Sequence, residues 1–331
     1  MQATSLTSGV LMLWKTLEAY GYDSKDVFTR AGLDPEKLSD PDARYQNEKI
    51  VKVWQFIIAE IKDPCIGLKV AEFFHPTTLH ALGFAWLSSE SLEAAFQRVV
   101  RYSKIITDIE TLQFTETEQD FEFSFHINDD ELYFPYEDYD MAIAIVIKLC
   151  RLSLGNDFAP LCIKMMRPKP DCYEEYSNYF KTSLLFNQEY YVLHLDKKDV
   201  KKPLATANAE LTLLNEQVML DYLERKERSD IVMRVRKKIV EQLSSGNITQ
   251  NIVSESLNMS ERNLQRKLKE QGASFKKMLE ETRAELAKIY LDNKKYSINE
   301  ITYLLGFSEP ANFTRAFKRW NGLSPSMYRQ Q

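Results

Sequence analysis

Ile298-Asn299-Glu300-Ile301-Thr302-Tyr303-Leu304-Leu305-Gly306-Phe307-Ser308 runs into Glu309-Pro310-Ala311-Asn312-Phe313-Thr314-Arg315-Ala316-Phe317-Lys318-Arg319-Trp320, two short helical patterns on either side of a turn. The same plan occurs earlier, in Ile248-Thr249-Gln250-Asn251-Ile252-Val253-Ser254-Glu255-Ser256-Leu257-Asn258-Met259-Ser260 followed by Glu261-Arg262-Asn263-Leu264-Gln265-Arg266-Lys267-Leu268-Lys269-Glu270. Superposition sets Ser260 on Ser308, Leu264 on Phe313, Gln265 and Arg266 on Thr314 and Arg315, and Leu268 on Phe317, with one extra residue early in the second copy's second helix. The residue two before each serine falls in a turn that calls for left-handed backbone, which Gly306 adopts freely and Asn258 tolerates. Ser260 and Ser308 then read as N-caps, with Pro310 in a first turn where its missing amide is not needed.

Within the second helix of each copy, Leu264 and Leu268, or Phe313 and Phe317, recur four apart and predict a buried stripe. The other faces carry Arg262, Gln265, Arg266 and Lys269, or Asn312, Arg315, Lys318 and Arg319, as a helix that enters a DNA groove requires. Between the copies, residues 275–291 are free of Gly and Pro and predict one rod, about 26 Å long, able to set two such helices in successive major grooves about 34 Å apart. An ordinary helical bundle with solvated arginines is the competing reading of the pattern. Charge supports DNA: residues 231–331 hold 18 Lys and Arg against 10 Asp and Glu, a net +8, while residues 1–230 hold 25 against 38, a net −13.

Residues 248–329 resemble the AraC/XylS family of bacterial transcription regulators. The resemblance rests on Ser260-x-x-x-Leu264-Gln265-Arg266-x-Leu268, on Arg283-x-Glu285-x-Ala287-x-x-x-Leu291, on Ile298-x-Glu300-Ile301 with Gly306-Phe307-Ser308, on Phe313-x-Arg315-x-Phe317-Lys318-Arg319, and on Gly322-x-Ser324-Pro325 with Tyr328-Arg329. Ser254 and Thr302 replace the family's usual alanines and Asn258 a glycine. By this analogy Arg262, Gln265 and Arg266 read bases in the first copy, and Arg315, Asn312 and Thr314 in the second, arginine suiting guanine and glutamine adenine. Lys269, Lys318 and Arg319 are expected on phosphates. Contact with RNA polymerase is a further expectation from the family.

Upstream, about 200 residues remain, enough for a domain with its own core. Helices are expected over 10–20, 24–31, 47–61, 66–74, 79–87, 91–105 and 136–154, and strands over 111–117, 120–127, 162–166 and 190–195, an α+β domain with a small antiparallel sheet. The region more diffusely resembles the sensor of the branch that includes the ornithine-utilisation regulators, through Leu79-x-x-Leu82-Gly83, Leu87-Ser88-Ser89, Leu92, Pro160, Tyr179-Phe180 and Phe186, with Lys181 where a glycine is usual. That implies effector binding and dimerisation. Phe84, Trp86, Tyr102, Phe123 and Tyr133 are candidates to line an apolar pocket, with Arg101, Lys104 or Arg151 anchoring a carboxylate such as a fatty acid or an amino acid; core packing or a solvated helix face is the alternative for each.

The expected division is an effector-binding and dimerisation domain at 1–200, a linker helix and hinge at 201–230, and an all-α DNA-binding domain of two helix-turn-helix units at 231–331. In the linker, Leu211, Leu214, Val218 and Tyr222 are spaced as a narrow seam that pairs two chains or packs on its own domain. Cys65, Cys150, Cys162 and Cys172 show no C-x-x-C spacing and His75, His80, His126 and His194 are scattered, so neither a zinc site nor a disulfide is expected, and free thiols in a reducing cytoplasm are. No cofactor motif, signal peptide or membrane-spanning stretch is read. The expectation is a DNA-binding regulator, an activator controlled by a small effector. A regulator without ligand, or a DNA-repair enzyme using Cys150 on this DNA-binding module, are the alternatives.

Overall fold

A computed structural model describes residues 3–127, 134–229, 231–293 and 295–329. It divides into two compact units, residues 3–223 and 224–331.

The first unit carries β1 (Thr4–Leu6), α1 (Thr7–Ala19), α2 (Ser24–Ala31), β2 (Arg44–Gln46), α3 (Asn47–Ile61), α4 (Ile66–Glu72), α5 (Ala81–Leu87), α6 (Leu92–Tyr102), β3 (Glu110–Glu116), β4 (Phe121–Ile127), α7 (Tyr136–Leu154), β5 (Cys162–Lys164), α8 (Tyr173–Phe180), β6 (Ser183–Leu185), β7 (Tyr191–Leu195) and α9 (Lys197–Lys201). Five strands form one sheet in the order β3-β4-β7-β5-β6, antiparallel except for the β5–β6 pair. Alternation fixes its faces: Phe121, Phe123 and Phe125 are buried, and the register sets them opposite Leu195, Leu193 and Tyr191. Helices cover this aromatic face. Phe96 of α6 lies 4.8 Å from Phe123 and 4.9 Å from Trp86 of α5, and Tyr139 of α7 stacks on Tyr191 at 5.0 Å. Gly83 is forced by packing, since a Cβ there would stand 1.9 Å from the Pro76 carbonyl oxygen.

The linker is one helix, α10 (Ala209–Ser229), and its first part belongs to this unit. Met219 and Tyr222 are buried in the core, Thr212 donates to the Ser88 carbonyl at 2.9 Å, and Glu216 pairs with Arg98 at 2.7 Å. Its opposite faces expose Leu211, Leu213, Leu214, Val218 and Leu220. Tyr222 therefore packs inward and is not part of the exposed seam.

The expectation of four free thiols is corrected: Cys65 and Cys172 form a disulfide, while Cys150 and Cys162 are free. The partners are 107 residues apart and meet only because the start of α4 packs near the start of α8, which no local spacing reveals.

The second unit is all helical: α11 (Ile231–Gln242), α12 (Gln250–Ser256), α13 (Glu261–Glu270), α14 (Phe275–Asp292), α15 (Ile298–Leu304), α16 (Pro310–Asn321) and α17 (Pro325–Tyr328). One core joins Val235 and Ile239 of α11 with Leu264, Leu268, Ala287, Leu291, Phe313 and Phe317. The connecting helix α14 spans 18 residues, about 27 Å.

Candidate DNA interface and effector cavity

The two helix-turn-helix units repeat one hydrogen-bond pattern. The Asn258 amide donates to the Glu255 carbonyl and that of Met259 to Ser254, as Gly306 does to Tyr303 and Phe307 to Thr302, all between 2.9 and 3.0 Å. Asn258 and Gly306 have positive φ, 55° and 69°. The hydroxyls of Ser254 and Thr302 fit where alanine is usual because each donates to a carbonyl of its own helix, Asn251 and Ile298, at 2.8 Å. Ser260 caps α13 by accepting from the Asn263 amide, and Ser297 forms a capping box with Glu300 before α15. One expectation is corrected: the N-cap of α16 is Glu309, not Ser308, because the extra residue of the second copy lies there, and Pro310 opens the helix with no side-chain cap.

Arg283 ties the rod to the second turn. Its guanidinium donates to the carbonyls of Leu305 (3.0 Å) and Gly306 (3.1 Å) and lies 4.5 Å from the centre of the Phe307 ring. Burial lowers its pKa.

Leu264 and Leu268 are buried, and Arg262, Gln265, Arg266 and Lys269 form one exposed stripe at i, i+3, i+4 and i+7. The matching positions of α16 are Ala311, Thr314, Arg315 and Lys318, all exposed except Thr314, which is half-buried. Arg266 donates to Asn263 Oδ1 at 3.0 Å and pairs with Glu270. Arg315 donates to Asn312 Oδ1 at 2.6 Å. An asparagine three residues before each arginine thus braces it in both copies. Asn263 was not singled out in the sequence, although its match to Asn312 in the repeat was a usable signal. Arg319, expected on phosphate, donates to Glu280 of α14 at 3.2 Å.

Inside the first unit lies a cavity of about 170 Å³. Its walls include Leu13 of α1, Trp54 of α3, Trp86 of α5, Phe123 and Phe125 of β4, and Ile145 of α7. Asp138, in the first turn of α7, is the ionisable residue among those lining it, and it accepts from Trp54 Nε1 at 2.7 Å. Burial pushes its pKa up to about 7, with the nearby Asp140 adding to the rise.

Of the pocket residues read from sequence, Trp86 and Phe123 line this cavity and the others described do not. Phe84 is 46 % exposed, being two positions and therefore about 200° around the helix from Trp86. Tyr102 is buried elsewhere in the core, and Arg101 and Lys104 are exposed beside it. Arg151 holds the carbonyls of Phe158 (3.1 Å) and Tyr179 (2.6 Å) and stacks on the Tyr179 ring, so it fastens the fold. The expected cationic anchor for a carboxylate is therefore absent from the cavity's described walls. Tyr133 lies outside the described residues.

Among the described residues, Asp120, Glu122 and His194 form one group with metal-ligand chemistry, their ligand atoms within 4.8 Å of one another. His194 Nδ1 of β7 and the Asp120 carboxylate just before β4 are hydrogen-bonded at 2.8 Å, which accounts for their closeness. No described helix is long and apolar enough to cross a membrane.

Comparison with known proteins agrees with both units. Residues 21–204 match the arabinose-binding amino-terminal domain of AraC transcription regulators, and residues 253–331 match a helix-turn-helix domain. The ornithine utilization regulator of Pseudomonas aeruginosa is 24 % identical over 318 residues, covering 94 % of this chain and 92 % of that one. The transcriptional regulator VqsM of the same organism is 23 % identical, with 96 % of each chain covered. The crystal structure of the regulator CdpR, also from Pseudomonas aeruginosa, is 18 % identical and aligns over 97 % of this chain and 98 % of its own with a TM-score of 0.46. With its amino-terminal domain and its duplicated helix-turn-helix both accounted for, the chain belongs to the AraC family of transcription regulators.

Proposed function

We propose that this regulator is an activator that reads two adjacent half-sites in double-stranded DNA, acts as a homodimer in the cytoplasm, contacts RNA polymerase, and is controlled by a small molecule held in the cavity of its first unit. The observation that carries the DNA reading is the duplicated turn with an exposed arginine and lysine at one register in both copies, Arg266 and Lys269 matching Arg315 and Lys318. Arg262, Gln265 and Arg266 read bases from α13, and Arg315 and Thr314 from α16, while Lys269 and Lys318 hold phosphates. Asn312 serves its arginine first, and Arg319 reaches phosphate by leaving Glu280.

Residues 1–200 supply effector binding, 201–230 the link and 231–331 the DNA grip in this reading. The exposed Leu211, Leu214 and Val218 of α10, with Leu213 and Leu220 beside them, support pairing of two chains. For the effector, a sugar or an amino acid needs several polar partners, and a carboxylate needs a cation; the apolar walls favour neither. A repair activity is disfavoured by Cys150, whose thiol burial pushes far above the ordinary range, the reverse of a reactive cysteine.

Selection of DNA sites from a random pool by the full chain tests the reading. It is expected to return two conserved elements about one helical turn apart, and a promoter bearing the selected site should gain transcription when the protein is supplied. A single conserved element would overturn the bipartite reading, and loss of transcription would overturn activation.

A further inference from the structure

We infer that the effector is a neutral molecule, a small apolar body bearing one carbonyl or hydroxyl oxygen, and that Asp138 is the side chain that recognises that oxygen. This rests on the cavity being the effector site. Size sets the first limit: an apolar cavity of roughly 150 Å³ holds a benzene, so about 170 Å³ accepts a small ring or short chain, well short of a long acyl chain.

Polarity sets the second. Hydroxyls at the wall have partners within the protein: Ser5 donates to Asn47 (2.7 Å) and lies 2.9 Å from the Thr107 hydroxyl, Ser103 donates to the Val100 carbonyl (3.2 Å), and Thr78 accepts from the His75 amide (3.3 Å). Asp138, the ionisable side chain among the described lining residues, spends one of its two carboxyl oxygens, Oδ1, on Trp54. Among the described residues, no Lys, Arg or His lines the cavity.

Charge sets the third. Asp140 acts on Asp138 from the same helix and is itself held by Arg167, which also approaches Glu137 at 3.9 Å; α3 presents Trp54, and the facing walls are apolar. Burial and Asp140 together favour the neutral acid, which donates a proton to a ligand oxygen. An anionic ligand would meet a second acid with no cation to share. A cationic ligand would require Asp138 to ionise in apolar surroundings, where desolvation of both charges opposes the attraction.

Calorimetric titration of the full chain with ethylbenzene, acetophenone, 1-phenylethanol, benzoate and benzylamine tests this with one aromatic body, one apolar end and four polar ends. At pH 6 the ketone or the alcohol should bind about tenfold tighter than ethylbenzene, with benzoate weakest. Raising the pH to 8, through the titration of Asp138, should weaken the ketone about tenfold. Asp138→Asn, whose amide still donates, should keep the preference and lose the pH dependence; Asp138→Leu should erase the preference while ethylbenzene still binds. Equal binding of ethylbenzene and the ketone, or benzoate or benzylamine binding best, would overturn the role of Asp138 and leave the cavity reading intact. If none of the five binds, the cavity is not the effector site and both readings fall.

Discussion

Replacing Gly306 by alanine separates the backbone demand of the helix-turn-helix turn from the packing around it. Gly306 and Asn258 occupy the same position of the repeat with similar φ, so an alanine at either site carries the left-handed cost, roughly 1–2 kcal/mol. Their surroundings differ. A Cβ on Gly306 would lie 2.3 Å from the carbonyl oxygen of Leu243, and that oxygen accepts from the Gly246 amide, so it cannot turn away without losing a bond. Asn258 is exposed. Overpacking against backbone adds about 1–3 kcal/mol, so Gly306→Ala should cost about 2–5 kcal/mol and Asn258→Ala about 1–2 kcal/mol. Hydrogen-exchange mass spectrometry on the full chain reads this locally: peptides from α11, α15 and α16 should lose protection in Gly306→Ala and hold most of it in Asn258→Ala, with the first unit unchanged in both. Equal loss in the two variants would refute the close approach to Leu243 and leave only the conformational cost.

Arg266→Ala and Arg315→Ala should each cost roughly 1–3 kcal/mol on the selected site and relax its sequence preference, whereas Lys269→Ala and Lys318→Ala should weaken all DNA alike and flatten the salt dependence by about one ion each, as followed by fluorescence anisotropy. Asn263→Ala and Asn312→Ala should each lower specific affinity by about 1 kcal/mol with little effect on random DNA, because each releases its arginine; equal losses on both DNAs would remove the bracing role. Arg262→Ala should reduce the information in the half-site read by α13 and leave the other half-site as it was, which sequencing of selected pools measures. For the Cys65–Cys172 bridge, a closed loop of about 100 residues is worth about 4.7 kcal/mol in the chain-entropy account, so reduction should lower urea stability by a few kcal/mol, and unchanged stability would argue against the bridge in solution.

Where the sequence was legible, short-range physics decided the outcome. The helices at Ser24–Ala31, Asn47–Ile61 and Tyr136–Leu154 have the expected bounds because apolar spacing and flanking polar residues mark them locally. The β3–β4 hairpin followed from alternation around Phe121, Phe123 and Phe125. What escaped reading depends on distant partners. The β1–β2 ladder joins two three-residue strands about 40 residues apart, too short to show a period, and β6 pairs in parallel with β5 across α8. Little of the cavity was legible. Trp86 and Phe123 were read as lining residues, but Asp138 looks in sequence like any acid in a helix's first turn, where the dipole favours it. Only the fold shows that this turn faces Trp54 and an apolar space.

The repeat is symmetric in scaffold and unequal in chemistry, and the inequality bears on function. Turn hydrogen bonds, buried stripe and braced arginine recur in both copies, so each half can dock in a groove in the same way. Along the exposed stripe, however, Arg262 and Gln265 stand against Ala311 and Thr314. The first helix offers an additional guanidinium and an amide, while the second offers a methyl group and a hydroxyl. Two equal readers would bind a direct repeat equally well in two registers offset by one half-site. If these residues read bases as proposed, unequal readers distinguish the half-sites, so one chain sits on its site in one register. A fixed register would suit the proposed activator role, because it would hold the chain at one distance from polymerase instead of two that differ by a half-site.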